Sequence, residues 1–195
     1  MTHLHPTKDE EIFLKIGYNR FLDLYDEIMT ESFWRKKPET RLRVIKDVFG
    51  VYAELIQYEP LKYILENHPR SHYQVVGKDL MKFIRNILLH FPFYTKWSDI
   101  VFSKSLVLTF DVNNSSIHRF LSKPHSEEIK YRFWEEKPRK LTYVTVSFPA
   151  EYQAGNEVYL RDIVSERDGI KFCLMFMREV LMSQVESIDS VKSLL

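Results

Sequence analysis

Asp79, Arg85, Asn86 and His90 bring an acid, a guanidinium, an amide and an imidazole into one short stretch of the chain. Together these groups suit phosphodiester chemistry. Arg can hold a phosphate through two parallel N–H donors and offset the charge that grows on it. His moves protons near neutral pH, as base or as acid. Asn can orient either partner. RNA carries its own nucleophile, the 2′-hydroxyl, so such a site has no obligatory need of a metal or a cofactor.

The surrounding pattern is that of an amphipathic helix. At about 100° per residue, Leu80, Ile84, Ile87 and Phe91 fall in a sector roughly 60° wide. Met81, Phe83 and Leu88 flank it. Asp79, Asn86 and His90 share another sector about 40° wide, and Asn86 and His90, four apart, are neighbours on the helix surface. Arg85 lies beside that polar sector, within reach of a long side chain. The alternative reading of the same residues is a solvated face, with His90 capping the last carbonyls before Pro92.

Arg85-Asn86-Ile87-Leu88-Leu89-His90 resembles the R-N-x-x-x-H form of the R-x4–6-H motif of the HEPN superfamily, and its setting on an amphipathic helix among other helices fits as well. The resemblance implies a HEPN-like helical bundle and a metal-independent ribonuclease of a toxin–antitoxin, phage-defence or RNA-processing system. It implies Arg85 and His90 as catalytic, Asn86 as their support, and Asp79 in the place of an upstream acidic residue. It also implies RNA as substrate, a homodimer whose two motifs face one cleft, and an antitoxin protein as a partner. Some HEPN members are catalytically silent, so the alternative function is a scaffold that binds a partner protein or a nucleotide. The bare motif is weak, since chance supplies roughly one match in a chain of this composition. A second match, Arg119 to His125, contains Pro124 and lacks Asn after Arg.

Other chemistry-bearing residues are less persuasive. His68 and His72 have a metal-like spacing, but Pro69 argues against a regular helix there and no third ligand is evident, so no metal site is expected. Cys173, the single cysteine, lies among Phe172, Leu174, Met175 and Phe176 and reads as a buried, inert thiol. Phe91, Phe93, Tyr94 and Trp97 could stack on RNA bases, though packing of a loop onto the bundle explains them as well. Lys36-Lys37 and the run from Lys137 to Lys140 read as solvated loops.

The elements that must position these residues can be read in order. Asp9 to Met29 carries helical periodicity, with Ile12, Ile16, Phe21, Leu24, Tyr25 and Ile28 recurring among charges. Pro38 suits the first turn of a second helix, whose apolar stripe includes Leu42, Ile45, Val48, Phe49, Tyr52 and Leu55. Pro60 is expected to end or bend it, with a short segment following to His68. Ser71 opens the third helix, which runs to about Phe91, and Pro92 stops it.

Alternation then replaces helical spacing around Leu106, Leu108 and Phe110, again from Ile129 to Phe133, and from Thr142 to Phe148. This predicts a β-hairpin with the Leu106 segment as a third strand, and a short helix over Ile117 to Leu121. Helical pattern returns near Val158 and continues to about Val185, with Gly169 marking a kink. The fold class is therefore mainly α: a single domain over residues 1–195, with a β-containing insert at about 105–149.

Composition agrees with this reading. The chain has 195 residues, 45% of them hydrophobic, and only 5 glycines, which suits a packed helical protein. Its 28 Lys and Arg nearly balance 27 Asp and Glu, which argues against sequence-independent nucleic-acid binding by bulk charge. No apolar run is long enough to span a bilayer, no secretory signal is evident, and the expected location is cytoplasmic.

Overall fold

In a computed structural model, residues 6–67, 72–90, 94–103, 128–135, 139–147 and 157–185 are described. The Leu106 strand, the Ile117 helix, the Arg119–His125 motif, His68, Phe91 and Phe93 lie outside them.

The described chain is mainly helical. Helix α1 spans Lys8–Met29. It begins in a capping box: Glu10 N–H donates to Thr7 Oγ1 at 3.3 Å, and Thr7 N–H donates to Glu10 Oε2 at 2.6 Å. Thr30 ends α1 and starts α2 (Glu31–Trp34), accepting from Phe33 N–H at 3.3 Å. Helix α3 (Pro38–Leu55) follows with Pro38 in its first turn.

Pro60 does not end a helix. It sits in the first turn of α4 (Glu59–Asn67), where its missing N–H removes a donor that has no intrahelical partner anyway. Helix α5, the predicted third helix, spans His72–His90. A 3-10 turn (Trp97–Asp99) leads to β1 (Val101–Ser103).

Strands β2 (Glu128–Glu135) and β3 (Lys140–Ser147) form an antiparallel hairpin in which Tyr131 faces Val144 and Trp134 faces Leu141. Arg139, at the turn, has a φ of 49°, in the left-handed region that turns require.

Residues 157–163, read from the sequence as the start of a long helix, divide differently. Glu157–Tyr159 is strand β4 and Leu160–Ile163 is a single helical turn, α6. Strand β4 pairs antiparallel with β1, Phe102 opposite Val158. The two ends of the insert therefore leave and rejoin the helical body side by side. Three-residue strands are too short to show alternation, and their partner is distant in sequence. Leu160 N–H donates to the Ile100 carbonyl at 2.9 Å, and Trp97 Nε1 donates to the Val164 carbonyl at 3.0 Å, fastening the same junction.

Helix α7 (Glu166–Val185) starts after a break at Val164 and Ser165, with Ser165 Oγ accepting from Asp168 N–H. Gly169 lies in its first turn. A Cβ there would come within 2.7 Å of Val164 Cγ2, so the glycine marks where the chain folds back on itself.

One core joins these elements. Helix α3 packs between α1 and α5, and α7 packs on α1, α4, α5 and β3. Phe21, Phe33, Ile45, Phe49, Tyr52, Phe83 and Phe172 are buried in it. At one end, Arg41 of α3 donates to Glu166 of α7 through Nε (3.1 Å) and a terminal nitrogen (2.9 Å), and to the Lys36 carbonyl at 2.6 Å. This bidentate bridge ties the entry of α3 to the start of α7, and its hydrogen bonds raise the basicity of Arg41.

Helix α5 lies very close on α7. A Cβ on Gly77 would stand 2.3 Å from Phe172 Cζ, and the ring is 2% exposed, with little room to turn away. Gly77→Ala is expected to destabilise the fold by about 1–3 kcal/mol, the usual range for overpacking. In the Phe172→Leu background the same substitution should cost less. Urea unfolding of the four proteins in this cycle measures the difference, and an equal cost in both backgrounds would contradict the close contact.

Candidate functional site

The inner side of α5 is core: Leu80, Met81, Phe83, Ile84, Ile87 and Leu88 are all buried. The other side carries Lys78, Asp79, Lys82, Arg85 and Asn86, all half-buried, and Leu89, which is 37% exposed. His90 is the last helical residue, one turn beyond Asn86 in the backbone. Its side chain is outside what the structure describes.

The geometry brings two of the predicted site residues into contact. The Arg85 guanidinium donates to Asn86 Oδ1 from Nε at 3.4 Å and from a terminal nitrogen at 3.3 Å. Adjacent residues on a helix point about 100° apart, so this contact requires the long Arg85 side chain to lie across the outer surface of α5. It places the cation toward the flank of Asp79 and Asn86. Partial burial lowers the basicity of Arg85, and the neighbouring Tyr52 opposes that shift. An arginine remains charged under these conditions, and reduced hydration strengthens its attraction for an anion.

Several participants escaped the sequence reading. Tyr52, part of the apolar stripe of α3, is fully buried and near enough to Arg85 to interact with it electrostatically. Lys46, two turns earlier on α3, donates from Nζ to the Tyr94 carbonyl at 3.2 Å. Nothing in the sequence pairs these residues, because the pairing depends on how the helices dock.

Trp97 and Tyr94 pack against the core, and the Trp97 indole is committed to Val164. Among the described residues, no cluster of three or more His, Cys, Asp or Glu could hold a metal ion, and no helix is long and apolar enough to cross a membrane. No family model, curated protein or solved structure matches the chain.

Cys173 lies in the core on α7, where burial pushes its thiol far above the ordinary range, so the nucleophilic thiolate does not form. A thiol-specific chromogenic reagent in mildly alkaline buffer is expected to leave the folded protein unmodified and to label one equivalent after unfolding. Rapid labelling of the native protein would contradict the burial.

Proposed function

We propose that this chain has a HEPN-like bundle and is a metal-independent endoribonuclease, with Arg85 and His90 as catalytic residues, Asn86 orienting them and Asp79 assisting from the same flank. The observation that carries the reading is the Arg85–Asn86 contact on the outer surface of α5. It holds a partly desolvated guanidinium on the side of the helix from which His90 continues.

In the reaction, His90 accepts the proton of an RNA 2′-hydroxyl. The 2′-oxygen bonds to the adjacent phosphorus, and the bond from phosphorus to the 5′-oxygen breaks. The products are a 2′,3′-cyclic phosphate and a 5′-hydroxyl. Arg85 neutralises the charge that builds on the non-bridging oxygens. The departing 5′-oxygen needs a proton, and one motif offers one imidazole. A homodimer with α5 at its seam supplies a second His90 as the acid.

Purified protein is expected to cleave single-stranded RNA in the presence of EDTA. His90→Ala should slow cleavage by about 10²–10⁴-fold, the usual contribution of acid–base catalysis. Removing the Arg85 guanidinium should cost on the order of 10²–10³-fold. Identical RNA profiles for wild type and His90→Ala across a broad RNA panel would instead favour the non-catalytic scaffold. If the protein is a toxin controlled by an antitoxin, growth arrest on expression should require both residues.

Light scattering at micromolar concentration should give the mass of a dimer. A monomer, or a dimer with its two His90 residues on opposite outer surfaces, would remove the proposed seam.

A further inference from the structure

Two isoleucines and a phenylalanine of α1 point away from the core. Ile16 is 66% exposed, Ile12 57% and Phe13 40%. Ile12 and Ile16 fall within about 40° of each other around the helix, opposite the buried Leu14, Phe21, Tyr25 and Ile28. Phe13 widens the patch to a sector about 100° wide. Single exposed apolar residues are ordinary, but three on adjoining turns form a contiguous patch, the usual mark of a contact surface.

The charges around the patch say what fits it. Asp9 stands one turn before Phe13 and Arg20 one turn after Ile16, and both are exposed. Asp9, Phe13 and Arg20 share one flank within a sector about 40° wide. Lys8 and Lys15 lie about 90–110° from the centre of the patch, outside the contact. Along the helix, the midpoint of Asp9 and Arg20 falls between Leu14 and Lys15, and that of Ile12 and Ile16 falls at Leu14. An acid at one end, a base at the other and apolar residues centred between them make a surface that complements itself when turned end for end.

We infer that this face of α1 binds the same face of a second copy of the chain, with the two helices antiparallel about a two-fold axis near Leu14. Ile12 of one copy then packs beside Ile16 of the other, the two Phe13 rings meet near the axis, and each Asp9 faces the Arg20 of the other copy. A parallel pair would instead set Asp9 beside Asp9 and Arg20 beside Arg20, which like-charge repulsion disfavours. The antiparallel contact is isologous and closes on itself. Helix α3 packs between α1 and α5, so this face is separate from the α5 seam and needs nothing from the ribonuclease reading. Three side chains on two turns bury less than the about 1,200 Å² of a stable complex, so the pairing is weak and concentration-dependent.

The test is sedimentation velocity of the full chain in low-salt buffer, from low micromolar to near millimolar concentration. The mean mass is expected to rise with concentration, by pairing of whatever species the α5 seam leaves at the lowest concentration. Ile12→Ser/Ile16→Ser should abolish the rise and still unfold at the wild-type temperature, since both residues are exposed. Asp9→Arg and Arg20→Asp should each weaken the pairing by about tenfold, because each sets like charges together twice per pair. Mixed in equal amounts, these two variants should pair about as tightly as wild type, since both end contacts of the mixed pair again join opposite charges.

No rise in mass, or the same rise in the serine variant, would overturn the inference. So would an unchanged mass with a lower unfolding temperature in the serine variant, which would mean that the chain itself covers the face. If the mixture pairs no better than its components, the antiparallel register is wrong and the inference falls.

Discussion

The approach of α5 to α7 at Gly77 governs the placement of everything on the outer face of α5. The absence of a side chain at residue 77 lets the Phe172 ring sit against the backbone, which draws the two helices together and orients α5 about its axis. Once Leu80, Ile84 and Ile87 are inside, the rotation of the helix is settled, and Lys78, Lys82 and Arg85 must lie on the other side. A wider spacing would leave voids around Phe172 and allow α5 to roll. The position of the Arg85 guanidinium thus follows from a packing constraint two turns away.

The rest of the body holds that arrangement in place. Helix α3 fills the space between α1 and α5, and Gly17 of α1 allows Leu55 to pack directly against its backbone. The Arg41–Glu166 bridge joins α3 to α7 with both partners about 15% exposed, so bulk solvent screens it less than a surface pair. Strands β1 and β4 pair where the β-containing segment leaves and rejoins the helical body. The Trp97–Val164 hydrogen bond at that junction also fixes the break between α6 and α7.

The environment of Arg85 shows how a core can tune a surface group without including it. Partial burial disfavours the charged guanidinium and lowers its basicity. The side chain then finds an acceptor in Asn86 rather than a carboxylate, which leaves its positive charge uncancelled by that contact. A guanidinium held by a neutral amide in a half-desolvated position is suited to receive an anion.

Much of this was written in local sequence. Helical periodicity gave the extents of α1 and α5 and the start of α3 closely, because each buries a stripe that recurs every three to four residues; α3 ends at Leu55, short of Pro60. The Asp79–Asn86–His90 flank follows from helical geometry alone. Pro60 misled because the same residue that breaks a helix interior is at home in a first turn, and only the path of the chain decides which turn it occupies. Strands β1 and β4 left no signal, since three residues cannot show a period and their hydrogen bonds join positions more than fifty residues apart. The neighbours of Arg85 were equally silent. That Tyr52 lies near Arg85, and that Lys46 closes onto Tyr94, depends on the docking of α3 against α5. That docking is a matter of side-chain volumes meeting across a long chain separation, and only the tertiary structure decides it.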